Sequence, residues 1–216
     1  MMHYAIYPLG EAALCLQPNR DQAGAQQRLI AMTRLAAAQP EYRLILGVGN
    51  VTLRFDPLQQ SLMQAEQWLK NYWEETALQL DELPSRIVEI PVHYGGESGP
   101  DLAQLAELAG LSEAQLIEAH SAPLYDVLCI GFLPGFPYLA GLPDSLHTPR
   151  RASPRLRVPA GSVGIGGNQT GIYPCESPGG WQLIGRTRLA LFDPRAQTPC
   201  LLQAGDKVRF VPEETS

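Results

Sequence analysis

The chain has 216 residues, 45% of them hydrophobic and 18% charged, which is typical of a folded globular protein and too apolar for a disordered one. Its 16 Lys and Arg against 22 Asp and Glu give a net charge of −6, which argues against a dedicated nucleic-acid binder or a basic membrane-surface protein. No apolar run approaches the roughly 18 residues of a membrane span, and the start lacks a signal-peptide pattern. Four scattered cysteines without a C-x-x-C pair indicate neither a disulfide framework nor a zinc site. We therefore expect a cytoplasmic protein without a metal site.

The first part of the chain alternates between strand and helix patterns. Apolar residues recur at helical spacing over residues 21–39 and 59–80. Strand patterns cover residues 4–9, 13–16, 42–47, 50–55 and 86–92. With the two short strand patterns on either side of Gly10 counted as one element, this order predicts a βαββαβ domain with one sheet and two helices.

Glycine and proline are concentrated in the second part. Residues 1–90 contain 9 of them and residues 91–216 contain 30, and because both types interrupt helices, long helices fit only the first part. We therefore predict two domains, 1–90 and 91–216.

Two short helices open the second part, at 101–110 and 112–120, the second with a capping-box pattern from Ser112 to Gln115. They carry 4 acidic residues and no Lys or Arg, which argues against a helix-turn-helix contact with DNA. The remainder predicts a β-barrel or sandwich, with strands at 125–132, 161–166, 181–186, 189–192 and 207–211.

No P-loop, dinucleotide fingerprint, zinc-protease motif or nucleophile elbow occurs in the sequence. Three other stretches suggest a site. In the first, residues 91–101, a strand runs into Gly95-Gly96 and a helix start, where backbone amides can bind an anion. His93 beside them could act as acid, base or hydrogen-bond donor. The alternative is a tight turn beside a structural histidine.

The second stretch, residues 131–139, combines aromatic residues with rigid turn residues. Phe132, Phe136 and Tyr138 could line a pocket or a partner surface at low entropic cost. Alternatively, they close a corner of the barrel as core residues.

The third stretch, residues 157–174, is dense in glycine, which lets backbone approach a ligand closely. Gln169, Thr170 and Tyr173 supply neutral hydrogen-bonding groups within it. Residues 145–192 contain 6 arginines and one acidic residue, Glu176, a balance suited to a carboxylate, a phosphate or an acidic partner. The alternative is a set of hairpin turns with a solvated basic face.

Together with residues 178–187 (PGGWQLIGRT), these stretches resemble the allophanate hydrolase subunit 1 / Kip-type kinase-inhibitor family, from residue 4 to residue 211. The resemblance implies an α+β fold in which the N-terminal domain precedes a cyclophilin-like β-barrel. In length and stand-alone form the chain is similar to bacterial members that are subunits of ATP-dependent 5-oxoprolinase, a hydrolase that opens 5-oxoproline to glutamate.

The resemblance also implies two partners. One is a related C-type subunit, which is fused to this one in urea carboxylase, and the other is an A-type subunit. ATP with Mg²⁺ would be bound by, or shared with, a partner subunit. Other family members, named KipI, inhibit a sporulation histidine kinase, which is the alternative function for this chain.

On this basis we expect one cleft, completed by another polypeptide, with His93 as an acid, base or oxyanion donor. The expected substrate contacts are Gly95, Gly96, Arg151, Arg157, Gln169, Thr170, Tyr173 and Arg188.

Overall fold

The chain divides into two compact units, Met1–Pro84 and Ser85–Ser216. The structure is a computed structural model that describes residues 4–19, 24–36, 42–76 and 85–213. It confirms the mixed α+β class and the β-barrel. The division falls after Pro84, whereas the shift in glycine and proline content predicts a boundary after residue 90. No helix in the described ranges has the length and apolarity needed to cross a bilayer.

The first unit is an antiparallel sheet with two helices. Its strands are β1 (Tyr4–Pro8), β2 (Ala13–Pro18), β3 (Arg43–Leu46) and β4 (Val51–Arg54), and its helices are α1 (Ala25–Ala36) and α2 (Leu62–Thr76). The strands lie in the order β1-β2-β4-β3. Helix α2 begins at a capping box, in which Ser61 and Gln64 each accept from the other's backbone amide. The predicted ends of both helices, 21–23, 37–39 and 77–80, lie outside the described residues.

The core of the first unit follows from strand alternation and helical spacing. Leu14 and Leu53 from the sheet are buried in one cluster with Leu29, Leu69 and Trp73 from the helices. Each such side chain contributes roughly 2 kcal/mol of hydrophobic free energy when fully buried.

The second unit is a barrel with two short helices. Its strands are β5 (Ile87–Tyr94), β6 (Leu124–Ile130), β7 (Pro137–Ala140), β8 (Arg155–Val158), β9 (Ser162–Gly166), β10 (Gln169–Ile172), β11 (Ser177–Gly179), β12 (Gln182–Arg186) and β13 (Lys207–Pro212); its helices are α3 (Leu102–Ala109) and α4 (Glu113–Ser121). Seven strands close the barrel in the order β10-β7-β6-β13-β5-β12-β9, and β11 pairs with β8 in a separate sheet. All the barrel pairs are antiparallel except β5 with β13.

The predicted capping box of the second short helix is confirmed. The Ser112 hydroxyl accepts from the Gln115 amide, and the Gln115 side chain accepts from the Ser112 amide, at the start of α4. Helix α3 ends at Gly110, whose φ of 67° is left-handed and therefore favours glycine.

Two strand predictions are corrected. The strand at 86–92 exists as β5, but it pairs with β13 and β12 in the barrel, so the first unit has the order ββαββα. Ile90 and Val92 are fully buried in the barrel core. Residues 189–192 form no strand: the Leu189 amide donates to the Thr187 hydroxyl in a local turn, and Phe192 makes only an isolated antiparallel bridge with Cys200.

Candidate active-site cleft

A cleft of about 770 Å³ lies where β5 and β12 end and β9 begins. Its lining includes His93, Ser98, Gly161, Pro174, Arg186 and Arg188. The cleft therefore combines one imidazole with two guanidinium groups, which is the chemistry of a site for an anionic ligand.

Sheet register places these side chains. His93 on β5 lies opposite Arg186 on β12, which lies opposite Ser162 on β9. Gly161 fixes the rim, since its amide donates to the Tyr173 carbonyl at 2.7 Å and its own carbonyl accepts from Thr187 at 2.9 Å. A Cβ at Gly161, where φ is 82°, would collide with the Thr187 carbonyl oxygen, so this turn requires glycine.

His93 is paired with a carboxylate. Its Nε2 lies 2.7 Å from Oε2 of Glu213, and the imidazole is 22% exposed. The Glu213 amide donates to the Val92 carbonyl at 2.9 Å, which holds this residue beside β5. Because an ionised carboxylate only accepts hydrogen bonds, the neutral form of this imidazole has its hydrogen on Nε2 and a lone pair on Nδ1. A neutral imidazole oriented in this way can take a proton from a ligand or water.

The two cleft arginines are held differently. The Arg186 Nε donates to the Ala160 carbonyl at 2.7 Å, which directs its guanidinium along the rim. Arg188 lines the cleft without an ion pair to any residue that the structure describes. Their positive charge near His93 favours phosphate or carboxylate groups.

One of the two amides of the predicted glycine anion site is used within the fold, and the role of Gly96 stays a prediction. The Gly95 amide donates to the Ile184 carbonyl at 3.1 Å, and the Gly95 carbonyl accepts from Gly99 at 2.8 Å. The Gly95 amide is thus used within the fold, and Gly96 is exposed on the turn. Both glycines have positive φ, 71° and 53°, so the turn itself explains them.

Two of the three predicted arginine contacts, Arg151 and Arg157, lie outside the cleft. Arg151 and Arg155 both donate to Oδ1 of Asp101, at 3.1 and 2.7 Å, while the Leu183 amide donates to Oδ2. Asp101 is 4% exposed, so this cluster joins α3 to the barrel. Arg157 is 82% exposed and lies 3.7 Å from Glu176. Of the predicted arginines, the structure therefore places only Arg188 in the cleft.

Gln169 and Thr170 do not join His93. Gln169 pairs with Gly166 at the far end of β9 from Ser162, four strand positions or roughly 13 Å away. The Thr170 hydroxyl donates to the Gly164 carbonyl and contacts His120 Nε2, both at 3.0 Å, and the residue is fully buried. The expectation of one cleft shared by His93, Gln169 and Thr170 is wrong. Strand β10 places Gln169 and Thr170 toward the end of β9 that is far from Ser162 and the cleft.

Tyr173 and the predicted aromatic residues surround a second cavity of about 250 Å³, the aromatic pocket. It is lined by Phe132, Phe136, Tyr138, Tyr173, Trp181 and Arg150. Phe136 and Tyr173 are 1% exposed, so both interpretations of residues 131–139 hold in part: these rings are core residues that also form a pocket wall. Burial raises the pKa of the Tyr173 phenol.

The glycine-rich stretch makes room for these rings. A Cβ at Gly166 would lie 2.5 Å from the Trp181 indole, and one at Gly171 would lie 2.9 Å from the same ring and 3.0 Å from Phe136. Glycine density therefore admits aromatic side chains onto β9 and β10, rather than a ligand onto the backbone.

Sequence reasoning missed Glu213, Arg186 and Trp181 as site residues. Arg186 and Trp181 lie inside the quoted stretch 178–187, so that stretch was a usable signal. Glu213 follows the last strand, and its partner His93 is 120 residues earlier. No local pattern marks such a pair.

The comparison with known families decides the assignment. A family model described as the carboxyltransferase domain, subdomain C and D, matches residues 4–202. The chain belongs to the carboxyltransferase C and D domain family. The sequence resemblance, which spanned nearly the same residues, is confirmed.

Relatives of this carboxyltransferase-type chain include the B subunit of 5-oxoprolinase from Escherichia coli O157:H7, 49% identical over 216 residues, covering 99% of this chain and 98% of the relative. The crystal structure of TTHA0988 has a TM-score of 0.80 at 37% identity and covers 94% of this chain but 40% of its own. This chain thus spans less than half of that protein. Kluyveromyces lactis urea carboxylase, with a TM-score of 0.76 at 20% identity over 98% of this chain and 22% of its own, shares the fold.

Proposed function

We propose that this chain is a subunit of an ATP-dependent 5-oxoprolinase that opens 5-oxoproline to glutamate and is active only with partner subunits. The name of the Escherichia coli relative, which matches over almost its whole length, supports this assignment. The structural observation that carries it is the cleft in which the His93–Glu213 pair lies beside Arg186 and Arg188.

The ring opening of 5-oxoproline requires a cleft with positively charged side chains. A lactam is a stable amide, so its oxygen first takes the γ-phosphoryl group of ATP, and ADP leaves. Water then adds to the activated carbon. The carbon–nitrogen bond breaks with its electron pair on nitrogen, which gains a proton, and a second water releases phosphate from the new carboxyl group. Negative charge develops on the phosphoryl oxygens, and positioned cations stabilise it.

In this proposal Arg186 and Arg188 bind the phosphoryl oxygens. The Nδ1 of His93 takes the proton from the attacking water and returns it to the leaving nitrogen. Glu213 orients the imidazole and stabilises its protonated form. Leu189 and Ala190 also line the cleft but are exposed, so in this proposal a partner subunit covers the cleft, excludes bulk water and strengthens these electrostatic interactions.

The cleft fits the anionic part of ATP better than it fits Mg²⁺. Two arginines suit phosphate oxygens, but among the residues that the structure describes no group of three or more His, Cys, Asp or Glu is arranged to hold a metal ion. In this proposal Mg²⁺ therefore enters with the phosphates and takes its protein ligands from a partner subunit.

The proposed partners are one related subunit of the C type and one of the A type. The name of the relative, which makes it one of several subunits, and the greater length of TTHA0988 support a further polypeptide next to this one. The kinase-inhibitor alternative has only the exposed Phe132 and the acidic helices α3 and α4 in its favour. It stays a prediction without support from the relatives described above.

Reconstitution tests the proposal. The full chain is combined with the two candidate partner subunits, and glutamate formation from 5-oxoproline and ATP is measured. His93→Ala should abolish turnover while the complex still assembles. His147→Ala is the matched control, because within the described residues the exposed His147 side chain has polar partners only in the Leu142 carbonyl and Asp144. Equal turnover of the two variants would remove His93 from the reaction.

A further inference from the structure

The aromatic pocket is a rigid, mostly apolar cavity with few polar groups. Phe136 meets Tyr138, Tyr173 and Trp181 edge to face, at centroid distances of 5.1, 5.2 and 5.4 Å, a favourable geometry for aromatic pairs. Because Phe136, Tyr173 and Trp181 are nearly fully buried, these walls are fixed before any ligand binds. Such a preformed cavity suits a flat ring.

Two polar groups face this ring site. The Arg150 guanidinium lies 6.0 Å from the Trp181 ring centroid, at the outer limit of a cation–π contact. The Tyr138 hydroxyl makes no hydrogen bond to the part of the chain that the structure describes, so it is available to a ligand. The pocket thus offers stacking faces, one cation and one hydroxyl.

The outer wall is strained. Phe132 has a φ of 63° and is 60% exposed, although it is a large aromatic residue. Its ring meets those of Phe136 and Tyr173 edge to face, at 5.5 and 6.3 Å. A non-glycine residue in this conformation costs about 1–3 kcal/mol and is commonly kept at ligand clamps. Phe132 is therefore placed to cover one face of a bound ring.

The pocket and the cleft share a wall. Tyr173 lines the pocket and Pro174 lines the cleft. The loop that carries Phe132 and Phe136 packs on the other side, since a Cβ at Gly135 would lie 2.9 Å from the Leu191 carbonyl oxygen, next to Ala190 of the cleft. The two cavities are therefore neighbours in the second unit, which is the arrangement needed for one ligand with a flat ring at one end and an anionic tail at the other.

We infer that the aromatic pocket binds the base of a nucleoside triphosphate whose phosphates lie in the His93 cleft. This inference rests on the proposed function for the use of ATP. Stacking in the pocket and charge in the cleft each match one part of such a ligand. 5-Oxoproline has one small ring with its carboxylate attached directly, so it cannot fill both cavities.

The indole NMR signals of the full chain test this inference without any turnover. Trp68 and Trp73 lie in the first unit and serve as internal references, and a Trp181→Phe variant identifies the third signal. Adenosine and ATP should shift the Trp181 signal. Inorganic tripolyphosphate alone should leave the Trp181 signal in place, and when added to the ATP complex it should return that signal toward its ligand-free position.

Two variants sharpen the test. Arg150→Gln should weaken ATP binding by about two- to thirty-fold, the range expected for a cation over an aromatic ring. Phe132→Gly keeps the positive φ and should also weaken it. Arg54→Gln, which removes an exposed guanidinium from the first unit, should leave binding unchanged.

Three results would overturn the inference: no Trp181 shift with millimolar adenosine or ATP, a shift with 5-oxoproline instead, or equal weakening by Arg54→Gln and Arg150→Gln. A separate assay tests the proposed function: if it is wrong, the reconstituted wild-type complex forms no glutamate. In that case the adenosine titration still decides whether the pocket binds a base.

Discussion

His120 makes the stability of the barrel dependent on pH. The side chain is fully buried, with its Nδ1 2.8 Å from the Tyr94 hydroxyl and its Nε2 3.0 Å from the Thr170 hydroxyl. The ring lies 4.6 Å from that of Phe210. No carboxylate among the described residues pairs with this imidazole, and burial lowers the pKa of His120 to about 3.

The sign and size of this pH effect on the free energy of unfolding follow from proton binding to His120 in the folded and unfolded states. The unfolded chain binds a proton on this histidine with a pKa of about 6.5, whereas the folded barrel does not until the pH approaches 3. The neutral ring therefore contributes its full stability above about pH 6.5, and that contribution is lost as the pH falls toward the folded value. The loss is about 1.4 kcal/mol per pH unit, or about 2 kcal/mol between pH 6.5 and pH 5.

Urea unfolding at pH 7, 6 and 5, followed by circular dichroism, measures this loss against His120→Gln. The variant is less stable at pH 7, but it lacks the titrating group. The difference in free energy of unfolding between wild type and His120→Gln should therefore be about 2 kcal/mol smaller at pH 5 than at pH 7. For His147→Gln, at a surface histidine, the free energy of unfolding should change with pH as it does in the wild type. A constant gap for His120→Gln would refute the reasoning.

Three further changes test the site and its support. Glu213→Gln keeps a hydrogen bond to His93 but removes the charge. Turnover of the reconstituted complex should therefore fall about tenfold, or ~1.4 kcal/mol, while the melting temperature stays unchanged. Full activity would exclude a role for the carboxylate. Asp101→Asn leaves two arginines without their counter-charge and should lower the free energy of unfolding by about 3 kcal/mol, measured with urea, and a loss below ~1 kcal/mol would contradict the assigned role. Gly166→Ala should cost about 1–3 kcal/mol and shift the Trp181 indole signal, whereas an unmoved signal would place the indole elsewhere.

Local patterns predicted local structure well. The Ser112 capping box, the helical spacing of α2 and the alternation along β4 each depend on residues a few positions apart, and the structure contains all three. Strand β5 was recognised as a strand but assigned to the wrong sheet. Its apolar residues indicate a strand, but its pairing depends on β13, more than a hundred residues later.

The site was predictable only in part for the same reason. His93 and Arg188 lie in one cleft, as expected, because each lies near the end of a strand at the same rim. Gln169 is closer to Arg188 in sequence than His93 is, yet it lies at the other end of β9. A glycine-rich stretch is compatible both with close approach of a ligand and with packing of aromatic rings. The position of Trp181 over Gly166 in the structure favours aromatic packing.

Strand β5 is the first strand of the barrel to leave the ribosome, and β13 is the last, yet the two pair in register from Lys207 with Ile87 to Pro212 with Val92. A nascent chain therefore carries β5 with one open edge until the final strand is synthesised, and pairing at this sequence separation is slow. The contact between His93 and Glu213 forms in the same closing event. An unfinished or truncated barrel thus lacks the contact between His93 and Glu213, so the acid–base chemistry proposed for this pair depends on completion of the last strand.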